Sequence, residues 1–203
     1  MKTIAVALTG ASGMPYGMRL IDCLVQAGCR VQVLYSQVAQ VVARQEMDIT
    51  LPARAADAQA WFAARTQAAD GQLQVYGREE WFAPLASGSN PPDAMVVCPC
   101  TMGTLAAIAA GLSSTLIERA ADVCLKERRT LVLVPRETPL STLHLENMLR
   151  LSRMGVVILP PAPGFYHRPT SVDALVDFVV ARILDQIGIP QQLMARWGEA
   201  DEA

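Results

Sequence analysis

Charge is what this chain has least of. Only 18% of its 203 residues are charged, against roughly 25% in ordinary soluble domains, while 52% are hydrophobic. So few charges do not cover a monomer of this size, and part of the apolar surface is expected to be covered by copies of the same chain. A net charge of −2 without a lysine-rich run excludes non-specific nucleic-acid binding. Long hydrophobic runs are missing too. None approaches the ~20 residues of a membrane span, and the opening run from Ile4 to Leu8 falls short of the roughly 7–15 apolar residues of a secretory signal. Five cysteines (Cys23, Cys29, Cys98, Cys100, Cys124) form an odd set without a disulfide-like framework, which reads as reduced thiols in a cytoplasm. With only two histidines, His144 and His167, neither a histidine metal site nor a Ser-His-Asp triad has a builder. No paired-aspartate metal motif appears, and Asp173 and Asp177 read as a solvated helix face. A phosphate handled by this chain is expected to be handled without a metal.

What is present is alternation. Apolar runs at 3–9, 30–36, 93–99, 130–135 and 155–161, with a weaker one at 72–77, read as strands. Helical patterns lie between them. One runs from Met14 to Ala27 and stops at Gly28. One is capped by Thr115 with Glu118 at capping-box spacing and runs to about Arg128. One runs from a Ser141 cap to Met154, with Gly155 as its stop. The last, Val172 to Ile187, repeats apolar residues at i, i+3, i+4 and i+7 before Gly188 and Pro190. This order predicts one α/β domain over 1–203, a doubly wound Rossmann-like or flavodoxin-like fold on a mostly parallel sheet. The tail from about residue 189, with Trp197, is expected to pack on a neighbouring subunit. In such folds the ligand lies at the carboxyl ends of the strands.

The first strand ends in "TGASGMPYG". Gly10 and Gly13 stand three apart, not two as in a dinucleotide fingerprint, and the second strand closes with Tyr35-Ser36 where that fingerprint needs an acid. There is no P-loop lysine and no nucleophile elbow. What remains is a turn against which a flat or phosphorylated ligand can lie, with Ser12 free to bond it; taken alone, such a turn serves packing equally well. The fourth strand ends in "CPCTMGTLAA", where Thr101, Met102, Gly103 and Thr104 open a helix and offer a second anion cradle. Cys98 and Cys100 lack partners at metal-ligand spacing and read as buried strand thiols. The fifth strand delivers Arg136 and Glu137 side by side in "LVLVPRETPLS". With Arg119 and Lys126 on the preceding helix, Tyr166 in "PGFYHRP" and Arg182 on the last helix, these residues suit a phosphate monoester that is held and protonated as it leaves. Arg182 by itself reads as an exposed helical charge.

Together "LTGASGMPYG", "CPCTMGTLAA", "IERAADVCLKERR", "LVLVPRETPLS" and "PAPGFYHRP" resemble the flavin prenyltransferases, the UbiX family, in order from about Thr3 to Trp197. The resemblance implies binding of reduced FMN and transfer to it of a dimethylallyl group from dimethylallyl phosphate, first at N5 and then at C6. The prenylated FMN then passes to a UbiD-type decarboxylase. It implies FMN contacts at Gly10, Ala11, Ser12, Ser36, Thr101 to Thr104 and Arg136. It implies allyl-phosphate contacts at Tyr166 and Arg182, with Ser12, Glu46, Arg119, Lys126 and Glu137 near the reacting groups, and assembly into dodecamers. Glu137 is the natural acid, Ser12 is placed to orient N5, and Trp81 offers an aromatic face to an allyl cation. Two departures stand out: Thr101 where the family has Ser, and "SST" at 113–115 where it commonly carries Asn. Two other readings compete, an FMN-dependent decarboxylase of the cysteine-peptide type and a flavin carrier without catalysis.

Overall fold

The computed structural model describes residues 1–194; Trp197 and the rest of the tail lie outside the described residues. Six parallel strands form one sheet in the order β3-β2-β1-β4-β5-β6. They are β1 (Thr3–Leu8), β2 (Arg30–Tyr35), β3 (Leu73–Val75), β4 (Ala94–Cys100), β5 (Thr130–Pro135) and β6 (Val157–Ile158). The chain moves outward from β1 to β3, crosses back to β4, and moves outward again. This is the doubly wound order, and its switch point lies between β1 and β4. Every pairing is parallel, so the sheet is wholly rather than mostly so.

Both faces are covered, as the near-continuous apolar strands require. Successive side chains point to opposite faces. On one face Ile4, Val6 and Leu8 of β1 join Val31, Val33, Val132 and Val134 beneath helices α1 (Met14–Gln26), α3 (Ala55–Thr66) and α7 (Val172–Gln186). On the other face the small Ala5 and Ala7 join Met95, Val97, Leu131 and Leu133 beneath α4 (Met102–Ala109), α5 (Leu116–Lys126) and α6 (Thr142–Arg153).

The helix starts follow their caps. Thr115 accepts from the Glu118 amide at 3.3 Å, but the Glu118 carboxylate turns to the Ser114 amide at 2.6 Å, one residue before the reciprocal position of a full capping box. At α6 the box is complete, with His144 in the place of the usual acid: Ser141 accepts from the His144 amide, and the His144 ring accepts from the Ser141 amide.

The strand run at 155–161 shrinks to Val157–Ile158. Gly155 is spent on a left-handed turn at φ 89°, and Pro160 and Pro161 have no amide to extend the ladder. Helix α2 (Gln37–Met47) and helix α3 occupy a stretch where the sequence pattern names none. They bury only two residues each, Ala39 and Ala43, and Ala58 and Phe62, too few to print an apolar stripe. Asp177 is also not a solvated charge: both its oxygens take the Arg19 guanidinium, at 2.7 and 3.3 Å.

Candidate active site

The carboxyl edge of the sheet gathers the turn after β1, the caps that start α2 and α4, and the end of β5. The turn after β1 and the first turns of α1 depend on three glycines. A Cβ on Gly10 would lie 2.4 Å from Val38 Cγ1, and one on Gly17 would lie 2.3 Å from the Cys98 carbonyl oxygen. Gly13 sits at φ 112°, left-handed backbone that favours glycine. Ser12 is exposed, and among the described residues its hydroxyl has no partner. Glu46, from the last turn of α2, lays its carboxylate on the start of α1. It accepts from Gly13 at 3.0 Å and from Met14 at 2.8 Å. The amides and dipole of that helix end are therefore already matched by a charge of the chain itself, and the glycine turn is not the open anion cradle of the two.

The start of α4 is the open one. Thr101 caps it, its hydroxyl accepting from the Thr104 amide at 3.1 Å and donating to the Thr104 hydroxyl at 2.9 Å. Among the described residues nothing accepts from the amides of Met102 and Gly103, which belong to the helix's first turn. Gly103 is exposed, and a Cβ there would meet only Thr101 Oγ1, at 3.9 Å. Nothing within the chain requires glycine at that place, although glycine costs a helix roughly 0.5–1 kcal/mol against alanine. Beside it, the Arg136 amide donates to the Cys100 carbonyl at 3.4 Å, and Arg136 Nε is buried without a hydrogen-bond partner. Bare amides, an unfilled approach and an orphaned guanidinium nitrogen together fit a phosphate. Ser36 contributes as the cap of α2, accepting from the Ala39 amide at 3.2 Å. A hollow of about 280 Å³ opens next to it, lined by Tyr35, Gln40, Tyr76 and Arg78.

Glu137 follows Arg136 on the rim and is exposed, one carboxylate oxygen accepting from the Thr138 amide at 3.2 Å. Tyr166 stands edge-on to Phe178 of α7, ring centres 5.8 Å apart. Arg182, one turn further along α7, is half exposed and paired with Asp185 at 2.9 Å, the exposed helical charge that its sequence position suggests.

Arg119 and Lys126 are placed differently from the rest. Arg119 donates to the Ala86 carbonyl at 3.0 Å and pairs with Asp122 at 2.7 Å, pinning the short 3-10 turn at Pro84–Ala86. Lys126 ends α5 beside the amino-terminal start of β5 and pairs with Glu127. The whole of β5 separates it from Arg136, so within one chain Lys126 does not join the rim. Trp81 is 46% exposed in the segment after β3.

Cys98 and Cys100 are fully buried in β4, and loss of hydration pushes both thiols up, Cys100 to about 12; they are neutral wall, not nucleophiles. A separate hollow of about 440 Å³ lies between α1, α3 and α7. Four of its charges are matched in the pairs Arg19–Asp177 and Arg65–Asp22. The role of Glu46 and the packing duty of Gly17 had no local sequence signal, because each depends on a partner on another element.

The Flavoprotein family model matches residues 1–184. A protein of Pseudomonas aeruginosa named flavin prenyltransferase UbiX is 60% identical over 198 residues, covering 98% of this chain and 95% of its own. A crystal structure of AnUbiX (PadA1) in complex with FMN and dimethylallyl pyrophosphate superposes with a TM-score of 0.87 at 38% identity, covering 98% of this chain and 99% of that one. A dodecameric FMN-dependent UbiX-like decarboxylase from Escherichia coli O157:H7 has a TM-score of 0.84 at 43% identity, over 96% and 98% of the two chains.

Proposed function

This chain belongs to the UbiX flavin prenyltransferases within the Flavoprotein family, and from that premise we propose how its own residues carry the reaction. The protein is a transferase that joins the dimethylallyl group of dimethylallyl phosphate to N5 and C6 of reduced FMN. The observation that carries our site assignment is the orphaned Arg136 Nε beside the bare amides of Met102 and Gly103 at the β1–β4 switch point. These groups hold the FMN phosphate, with the Thr101 and Thr104 hydroxyls beside them. Gly10, Ala11 and Ser12 let the isoalloxazine approach the backbone, and Ser36 closes the site on the β2 side. Reduced FMN, when bound, supplies the nucleophilic ring atoms.

The remaining residues manage charge and protons. Tyr166 and Arg182 bind the phosphate of the allyl donor. Glu137, exposed and adjacent to the fixed Arg136, protonates that phosphate as it departs. Ser12 orients N5, and Glu46, held on the amides of Gly13 and Met14 within the same turn, takes up the proton released there. Arg119, in the first turn of α5, is engaged with Ala86 and Asp122, and Lys126 ends that helix away from this rim, so Lys126 acts on the reaction only where copies pack together.

That packing is itself part of the proposal. Val38, Val41, Phe82, Leu143, Leu149 and Phe165 are large apolar residues left exposed on one chain, and a similar protein is dodecameric. This chain therefore assembles with its own copies; its product, prenylated FMN, passes to a UbiD-type decarboxylase in the reading that the family resemblance suggests. No helix among the described residues is long and apolar enough to cross a membrane.

The test is anaerobic incubation with reduced FMN and dimethylallyl phosphate, followed by mass measurement of the extracted flavin. A gain of one five-carbon unit is expected. Flavin recovered unchanged would favour a carrier, or a decarboxylase that uses FMN as it is.

A further inference from the structure

The strands that flank the switch point pair in register from Ile4 with Ala94 to Ala7 with Val97, and there their ladder ends. Two segments leave them just beyond that point, the glycine turn from β1 and the start of α4 from β4. A flavin lying across both needs them at a fixed spacing, yet no strand pairing supplies it. Thr9 does. Its amide donates to the Pro99 carbonyl at 3.1 Å. Its hydroxyl donates to the same carbonyl at 2.8 Å and accepts from the Thr101 amide at 2.8 Å.

Both partners lie some ninety positions away in sequence and one residue apart from each other, on either side of Cys100. Thr9 is 1% exposed, so water does not stand in for these bonds. The bonds also reach the ligand-facing groups directly. Thr101 is the cap whose hydroxyl orders the first turn of α4, and the intervening Cys100 carbonyl receives the Arg136 amide. One hydroxyl thus ties β1 to the strand end on which both phosphate-binding elements depend.

We propose that Thr9 is a positioning residue for flavin binding, its hydroxyl setting the distance between the turn that meets the ring and the amides that meet the phosphate. The proposal rests on the FMN reading given above. It concerns a residue whose sequence context, the last position of an apolar strand run, marks it as ordinary.

Thr9→Val keeps the shape and removes the hydroxyl, leaving the Thr101 amide without its acceptor; Thr9→Ser keeps the hydroxyl. The experiment titrates FMN into the assembled wild-type protein and both variants, following flavin fluorescence and the visible circular dichroism of the bound flavin. Thr9→Val is expected to weaken FMN binding about tenfold to a hundredfold and to change the dichroic band. Thr9→Ser is expected to restore both. A valine variant that binds FMN with wild-type affinity and an unchanged band overturns the proposal, even if it unfolds at a lower temperature. Should the valine variant not fold, hydrogen exchange on the unmodified protein decides: the Thr101 amide is expected to be protected like core strand amides, and exchange at the rate of exposed loops overturns the proposal. Wild-type protein that fails to bind FMN would instead sink the functional reading, and is seen before any variant is made.

Discussion

Glu137 shows how a single residue divides binding from chemistry. Its neighbour Arg136 is anchored by a backbone bond to β4 and has a buried Nε, whereas Glu137 is exposed and, among the described residues, its carboxylate accepts from the next amide along the chain. Glu137→Gln preserves size and hydrogen bonding but removes the proton. FMN affinity is therefore expected to stay near wild type while prenyl transfer slows by about a hundredfold or more, measured as single-turnover flavin alkylation. Wild-type rates in that variant would remove Glu137 from the mechanism. At this scale the sequence was partly legible. Arg136 and Glu137 stood out because an apolar strand delivers two charges at its end. Glu46 entered only through the family resemblance, because its partners, Gly13 and Met14, lie more than thirty positions away. Lys126 looked like part of the site because its helix neighbours the site in sequence, yet two turns of α5 beyond Arg119 carry it to the opposite edge of the sheet.

Among the elements, the two glycines that bracket the site demand opposite things. Gly17 is a packing glycine: a methyl there meets the Cys98 carbonyl at 2.3 Å, backbone that does not yield. Gly17→Ala is expected to cost about 3 kcal/mol, read as a lower urea midpoint. Gly103 faces open space at the start of α4. Gly103→Ala is expected to leave stability unchanged or raise it by up to about 1 kcal/mol while weakening FMN binding, because the methyl occupies the ligand's approach. An alanine variant at 103 with wild-type FMN affinity would contradict the cradle. The strands were legible as apolar runs, the caps of α5 and α6 as local signatures, and α7 by its apolar repeat. Helices α2 and α3 were not, since segments with only two buried positions each carry little periodicity. The complete parallelism of the sheet emerges only from the pairing itself.

For the whole molecule, buried acids make alkaline pH the weak side. Loss of hydration raises Cys98, Cys100 and Cys124 above the ordinary thiol value of 9.0, the last two to about 12. Below 9.0 the thiols are neutral in both folded and unfolded chains and stability does not depend on them. Between 9.0 and about 12 the unfolded chain releases protons that the fold retains, so stability falls as pH rises. Each thiol contributes up to about 1.4 kcal/mol per pH unit. Burial raises Tyr16, Tyr35 and Tyr76 in the same direction. The urea midpoint is therefore expected to drop as pH rises from about 9 towards about 11; a flat profile there would contradict the burial of these groups.

The central claim is that flavin lies across the β1–β4 switch point, and a crystal structure grown with FMN tests it most directly. The phosphate is expected on the amides of Met102 and Gly103 with Arg136 beside it, and the ring against Gly10 to Ser12. A flavin bound instead in the hollow between α1, α3 and α7, against Arg19 and Asp177, would contradict it.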